Sequence, residues 1–85
     1  MEVYYSSKFV KSYRKLPQRI KDLVEKKVGV FIKNPFSEIL KTHKLHGDFN
    51  GFWAFSVNKN YRIIFDFFGE NVVRFYDIGT HGIYK

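Results

Sequence analysis

Tyr61-Arg-Ile-Ile-Phe-Asp-Phe-Phe68, Gly69-Glu-Asn71 and Val72-Val-Arg-Phe-Tyr-Asp-Ile78 together decide the fold. The outer runs are dense in β-branched and aromatic residues, which suit a pleated, half-buried surface. The three residues between them include Gly69 and Asn71, the turn chemistry of a hairpin. Just upstream, Phe52–Val57 alternates Trp53, Phe55 and Val57 with Ala54 and Ser56, and Asn58-Lys59-Asn60 makes a second short link. Three successive strands on short links predict an antiparallel meander.

Working toward the N-terminus, the period changes from two to about 3.6. Ile20, Leu23, Val24, Val28, Phe31 and Ile32 repeat at intervals of three and four, with Lys21, Lys26, Lys27 and Lys33 on other faces. This predicts an amphipathic helix. Pro17 suits its first helical position, and Asn34-Pro35 ends it, because the residue before a proline is pushed out of the α region. Phe9, Val10, Tyr13 and Leu16 mark an earlier helix, which Ser6-Ser7 would cap. Val3-Tyr4-Tyr5 is a brief strand ahead of it, and the two helices are expected to form a hairpin with a shared apolar seam. Residues 36–51 are less regular, with a turn-rich stretch between Gly47 and Gly51. The expected fold class is α+β. It is a single two-layer domain over residues 1–85, ordered β-α-α-β-β-β, with two N-terminal helices on a small antiparallel sheet.

Composition narrows the function. The chain has 85 residues, 45% of them hydrophobic and 20% aromatic, enough for a core without staples. Zero cysteines exclude a disulfide framework, a thiolate metal site and a cysteine nucleophile. No apolar run approaches the roughly 20 residues of a membrane helix, so a soluble, cytoplasmic protein is expected. The net charge of +7 is unevenly placed. Up to Lys44 there are eleven basic side chains against four acidic ones, and beyond it four against four. Eleven of the seventeen aromatics lie in the neutral second part. A basic helical layer on an aromatic sheet points toward a polyanionic partner; the alternative is a solvated face whose charge serves solubility alone.

The chemistry-bearing residues collect in loops. His43 and His46 fall in Lys41-Thr-His-Lys-Leu-His-Gly47, and His81 in Gly79-Thr-His-Gly-Ile-Tyr84. Three histidines suggest zinc, but the only nearby acids are Asp48 and Asp77 and no helical HExxH pattern accompanies them, so no metal and no cofactor is expected. RNA cleavage by proton transfer needs neither. Histidine titrates near neutrality and suits both acid and base roles, while an arginine on a rigid strand donates two parallel hydrogen bonds to a phosphate. Arg62 stands on such a strand; the alternatives for it are an ion pair with Asp66 or Asp77, or a solvated sheet face. Lys41, Lys44, His46, Lys59 and Arg74, interleaved with Phe49, Trp53, Tyr76 and Tyr84, form the mixture of charge and rings that single-stranded nucleic acid binds. Trp53 and most of the phenylalanines are expected in the core, whereas Tyr84, close to the end of the chain, is a candidate for substrate contact.

Phe9-Val-Lys-Ser-Tyr-Arg-Lys-Leu-Pro17, Asn34-Pro-Phe36, His43-Lys-Leu-His-Gly47, Trp53-Ala-Phe-Ser-Val57, Tyr61-Arg-Ile-Ile-Phe65 and Asp77-Ile-Gly-Thr-His81 occur in an order that resembles the RelE/ParE toxin superfamily, most nearly the RelE/YafQ-like mRNA interferases. The resemblance implies a toxin of a type II toxin–antitoxin pair, an endoribonuclease cleaving mRNA in the A site of the 70S ribosome and held inactive by an acidic antitoxin. It implies roles for four residues: His43 as general base, Arg62 at the scissile phosphate, His81 as general acid, and Tyr84 orienting substrate. Ser56 and Asn60 stand where the YafQ branch carries a further histidine and an aspartate, which leaves the division of acid and base labour open. The ParE branch shares the fold and poisons DNA gyrase, so a non-catalytic binding module is the alternative.

Overall fold

The computed structural model describes residues 1–82 throughout and the backbone of residues 83 and 84. The meander is present as β3 (Trp53–Ser56), β4 (Arg62–Gly69) and β5 (Val72–Gly79), each antiparallel to the next. Asn71 has φ +59°, the left-handed conformation an asparagine tolerates, and completes the turn between β4 and β5.

The sheet is wider than expected and mixed rather than antiparallel. β1 (Glu2–Tyr5) lies parallel to β5, in register from Glu2 opposite Val72 to Tyr5 opposite Phe75. A two-residue strand, β2 (His43–Lys44), extends the other edge, antiparallel to β3. The order is β1-β5-β4-β3-β2. β1 is an expected strand, but its parallel pairing joins the two ends of the chain and no local pattern encodes it; β2 is the strand that was not expected.

Two helices cover one face: α1 (Ser7–Arg14) and α2 (Gln18–Lys33). Ser6 caps α1 by accepting a hydrogen bond from the Phe9 N–H at 2.9 Å, and its hydroxyl donates to the Tyr76 carbonyl of β5. Pro17 is the N-cap of α2, so the helix begins at Gln18, one residue later than expected. The ψ of Pro17, 149°, is extended, and its carbonyl accepts from the N–H groups of Ile20 and Lys21. Phe31 is the hub between layers, with ring centroids 4.6 Å from Phe55, 4.9 Å from Phe65 and 5.5 Å from Phe75. All four rings are fully buried. The helices do not close on each other along an apolar seam. A groove of about 630 Å³ separates them, walled by Phe9, Val10 and Tyr13 on one side and by Val24, Val28 and Ile32 on the other.

Asp77 is buried where α1 meets β5. Its Oδ1 accepts from the Ser12 hydroxyl at 2.7 Å and from the Ile78 N–H at 2.8 Å, while the Lys8 ammonium stands 3.9 Å from Oδ2. A buried carboxylate needs such partners, and here they tie α1 to the strand that leads into His81.

Candidate active site

The open end of the meander positions the site. Arg62 begins the central strand, paired with Ser56 on one side and Gly79 on the other. The hairpin before it is held by Asn58, whose Oδ1 accepts from the N–H groups of Asn60 and Tyr61 at 2.9 and 2.8 Å. His81 follows two residues after Gly79 and opens a short 3₁₀ turn, His81–Tyr84. His43 sits on β2 opposite Ala54, and His46 precedes a second 3₁₀ turn, Gly47–Phe49. Gly47 has φ +67° there, a conformation that favours glycine.

These segments converge on a cleft of about 350 Å³ lined by His43, Leu45, His46, Asp48, Phe49, Arg62 and His81. The three histidines and the strand arginine, separated by up to 38 positions in the chain, share one wall system. Two details bear on their chemistry. His43 Nδ1 is 2.9 Å from the Lys41 carbonyl oxygen. A carbonyl only accepts, so Nδ1 carries the proton and, in the neutral ring, Nε2 is left with the basic lone pair. Lys41 supports this geometry in a left-handed conformation at φ +52°. Arg62, for its part, has a buried Nη1 with no hydrogen-bond partner. The two strand acids that might pair with it are engaged elsewhere: Asp66 takes Arg74 Nε and Nη2 at 3.3 and 3.0 Å, and Asp77 takes Ser12, which leaves Asp48 as the acid that shares the cleft with it. A buried guanidinium nitrogen without a partner is costly, and a charge-assisted hydrogen bond to an anion is one arrangement that would satisfy it.

Other candidate residues lie apart from the cleft. Strand alternation turns Lys44 away from His43, and its ammonium sits 5.5 Å from the Trp53 ring centroid. Arg74, bound to Asp66, lies over the Phe68 ring and lines a separate small cavity with Tyr4 and Phe68. Lys59 is exposed in the turn before Arg62, and Lys41 contributes its carbonyl to His43; neither side chain lines the cleft. The side chain of Tyr84 falls outside the described residues. Conversely, Leu45 and Asp48 join the wall without having been singled out, Asp48 entering the sequence only as an acid near the histidines. The positive-φ glycines around it, Gly47 and Gly51, were the available signal. Among the described residues no group of three histidine, aspartate or glutamate side chains is placed to hold a metal ion.

A family model for the RelE-like toxin HigB of type II toxin–antitoxin systems matches residues 3–81. The chain belongs to the HigB-like toxins. The fold of this HigB-like toxin is also that of YafQ from E. coli strain BL21(DE3), with TM-score 0.81 at 22% identity over 98% of this chain and 96% of that one. A YoeB/ParE toxin from Agrobacterium tumefaciens superposes with TM-score 0.79 at 16% identity, covering 95% of this chain and 99% of that one. YafQ in the E. coli DinJ–YafQ toxin–antitoxin complex gives 0.77 at 22% identity, covering 96% and 93%. No curated protein sequence matches the toxin significantly. Among the described residues no helix is long and apolar enough to cross a membrane.

Proposed function

We propose that this toxin is an endoribonuclease that cuts mRNA on the ribosome by metal-independent acid–base catalysis. The observation that carries the proposal is the buried, unpartnered Arg62 Nη1 on the same cleft as His43 and His81. His43 Nε2 takes the proton of a ribose 2′-OH, and the freed oxygen attacks the adjacent phosphorus. Arg62 donates to the non-bridging oxygens as negative charge builds on them, an interaction strongest in the transition state. His81 gives its proton to the 5′-oxygen as the P–O5′ bond breaks. The products are a 2′,3′-cyclic phosphate and a 5′-hydroxyl, with both protons accounted for. The excess charge of the helical part serves a different purpose, docking on rRNA phosphates.

An acidic antitoxin is the second partner. Solved structures similar to this chain include the E. coli DinJ–YafQ complex and the Staphylococcus aureus YoeB–YefM complex. Here the groove between α1 and α2 is apolar and belongs to the basic part of the chain, so an acidic amphipathic segment meets both its burial and its charge requirements.

The test is primer extension on mRNA from cells induced for the toxin, alongside the His81→Ala variant at equal protein level. Discrete ends within translated codons, lost in the variant, are expected. Intact transcripts with an induced DNA-damage response would instead identify a gyrase poison and refute the proposal, and undiminished toxicity of His81→Ala would remove its acid.

A further inference from the structure

The sheet face away from the helices carries a row of rings that starts inside the cleft. Phe49 lines the cleft wall. Its ring centroid is 6.2 Å from Phe52 at an interplanar angle of 77°, and Phe52 is in turn 5.1 Å from Tyr76 at 47°. Lys8 ends the row, its ammonium 5.1 Å from the Tyr76 centroid. That ammonium is also 3.9 Å from the Asp77 carboxylate, which holds it over the ring while the side chain stays 59% exposed. The four residues come from three separate segments. Tyr76 projects where the β4–β5 register slips: Ile64 pairs with Asp77 and Phe65 with Phe75, so Tyr76 is the extra residue of a bulge.

Apolar cover does not require aromatics here. Ala54 and Ile64 face each other across β3 and β4 and are fully buried, yet lie outside the helix-side core cluster. Leucines would shield such small groups as well. Rings with partly exposed surfaces, leading from an anion-binding cleft to a cation, match the requirements of single-stranded RNA, whose bases stack on aromatic faces while its phosphates follow positive charge.

The geometry points to a base-stacking ledge, Phe49–Phe52–Tyr76 with Lys8 at its end, that holds the nucleotides flanking the scissile phosphate and aligns the strand in the cleft. Its assignment to a flanking strand rests on the ribonuclease reading; its affinity for RNA does not. The experiment therefore measures binding without cleavage. A single-stranded hexaribonucleotide, 2′-deoxy at the central position, is titrated to millimolar concentration into the full-length toxin by NMR. Phe52→Leu and Tyr76→Leu keep the apolar cover and remove the ring; Tyr76→Phe keeps the ring. Each Leu variant should bind roughly tenfold more weakly or worse, and Tyr76→Phe as the parent does. Binding by the Leu variants equal to the parent's overturns the ledge, as does a parent that shows no binding. Should a Leu variant fail to fold, the parent's own Phe52 and Tyr76 ring protons decide: shifts on RNA addition support stacking, and unmoved rings refute it. Cleavage of the all-ribose oligomer in a translating extract separates the two proposals. A parent that binds through its rings without cutting keeps the ledge and loses the nuclease, and a parent that cuts while both Leu variants bind and cut normally keeps the nuclease and loses the ledge.

Discussion

Arg62→Met should make the toxin more stable and inactive at once. Arg62 Nη1 is buried without a hydrogen bond, and a buried donor left unsatisfied costs about 1–3 kcal/mol. Methionine retains an unbranched stem in the same strand position and has no donor to satisfy. Some packing and the solvation of the remaining guanidinium nitrogens are lost, so a net gain of about 1 kcal/mol is the reasonable size, the low end of that range. For a domain of this length that raises Tm by roughly 4–8 °C. Trp53, the single tryptophan, reports urea unfolding directly. With an m value of about 1 kcal/mol/M, the midpoint should rise by about 1 M at unchanged m. Cleavage should fall by roughly 10²–10³, the usual loss for one donor aimed at a developing anion. A midpoint equal to or below the parent's would show that Nη1 is satisfied in solution and that no stability is held in reserve for a phosphate. Retained cleavage would remove Arg62 from the mechanism even if the stability rose.

Ser12→Ala deprives the buried Asp77 of its 2.7 Å donor, and a loss of about 1–3 kcal/mol in urea unfolding is expected, despite alanine's better helix propensity. Phe31→Ala empties the hub of four buried rings and should cost about 3–5 kcal/mol, enough to leave little folded protein by circular dichroism at 37 °C. Lys41→Gly relieves the left-handed backbone at φ +52° and should leave stability unchanged or slightly raised, with the His43 Nδ1–H bond to its carbonyl intact in an ¹⁵N spectrum of the imidazole. His43→Ala should lower the cleavage rate by roughly 10²–10⁴, with antitoxin capture unaffected, because His43 lies outside the helical groove.

Much of this molecule is readable from local pattern. The period-two runs Trp53–Val57, Tyr61–Phe68 and Val72–Ile78 became strands because their own side chains demand burial on a pleated face, and short links left them only an antiparallel arrangement. The helix around Phe31 followed from its 3.6-residue spacing and ended at Lys33, ahead of Asn34-Pro35. His43, His46, Arg62 and His81 were recognisable by chemistry, and they share one cleft.

Other features had no local signature. The parallel pairing of β1 with β5 is one of them: it joins the two ends of the chain and sets Tyr5 against Phe75 and Phe9, at ring distances of 5.6 and 5.4 Å. Arg74 and Arg62 look alike along the chain, each a cation in a strand. Cross-strand register gave Asp66 to Arg74 and left Arg62 with a buried Nη1 that has no hydrogen-bond partner among the described residues. Lys44 seemed as close to the site as His43, and one step of strand alternation sent it to the opposite face. The amino-acid sequence by itself determined the elements, the placement of charge in the helical part and the identity of the candidate side chains, because propensity and hydrophobic period act over a few residues. Which cation was paired with an acid and which kept a buried, unpartnered nitrogen was decided only by the tertiary structure, since pairing and burial depend on neighbours that distant parts of the chain supply.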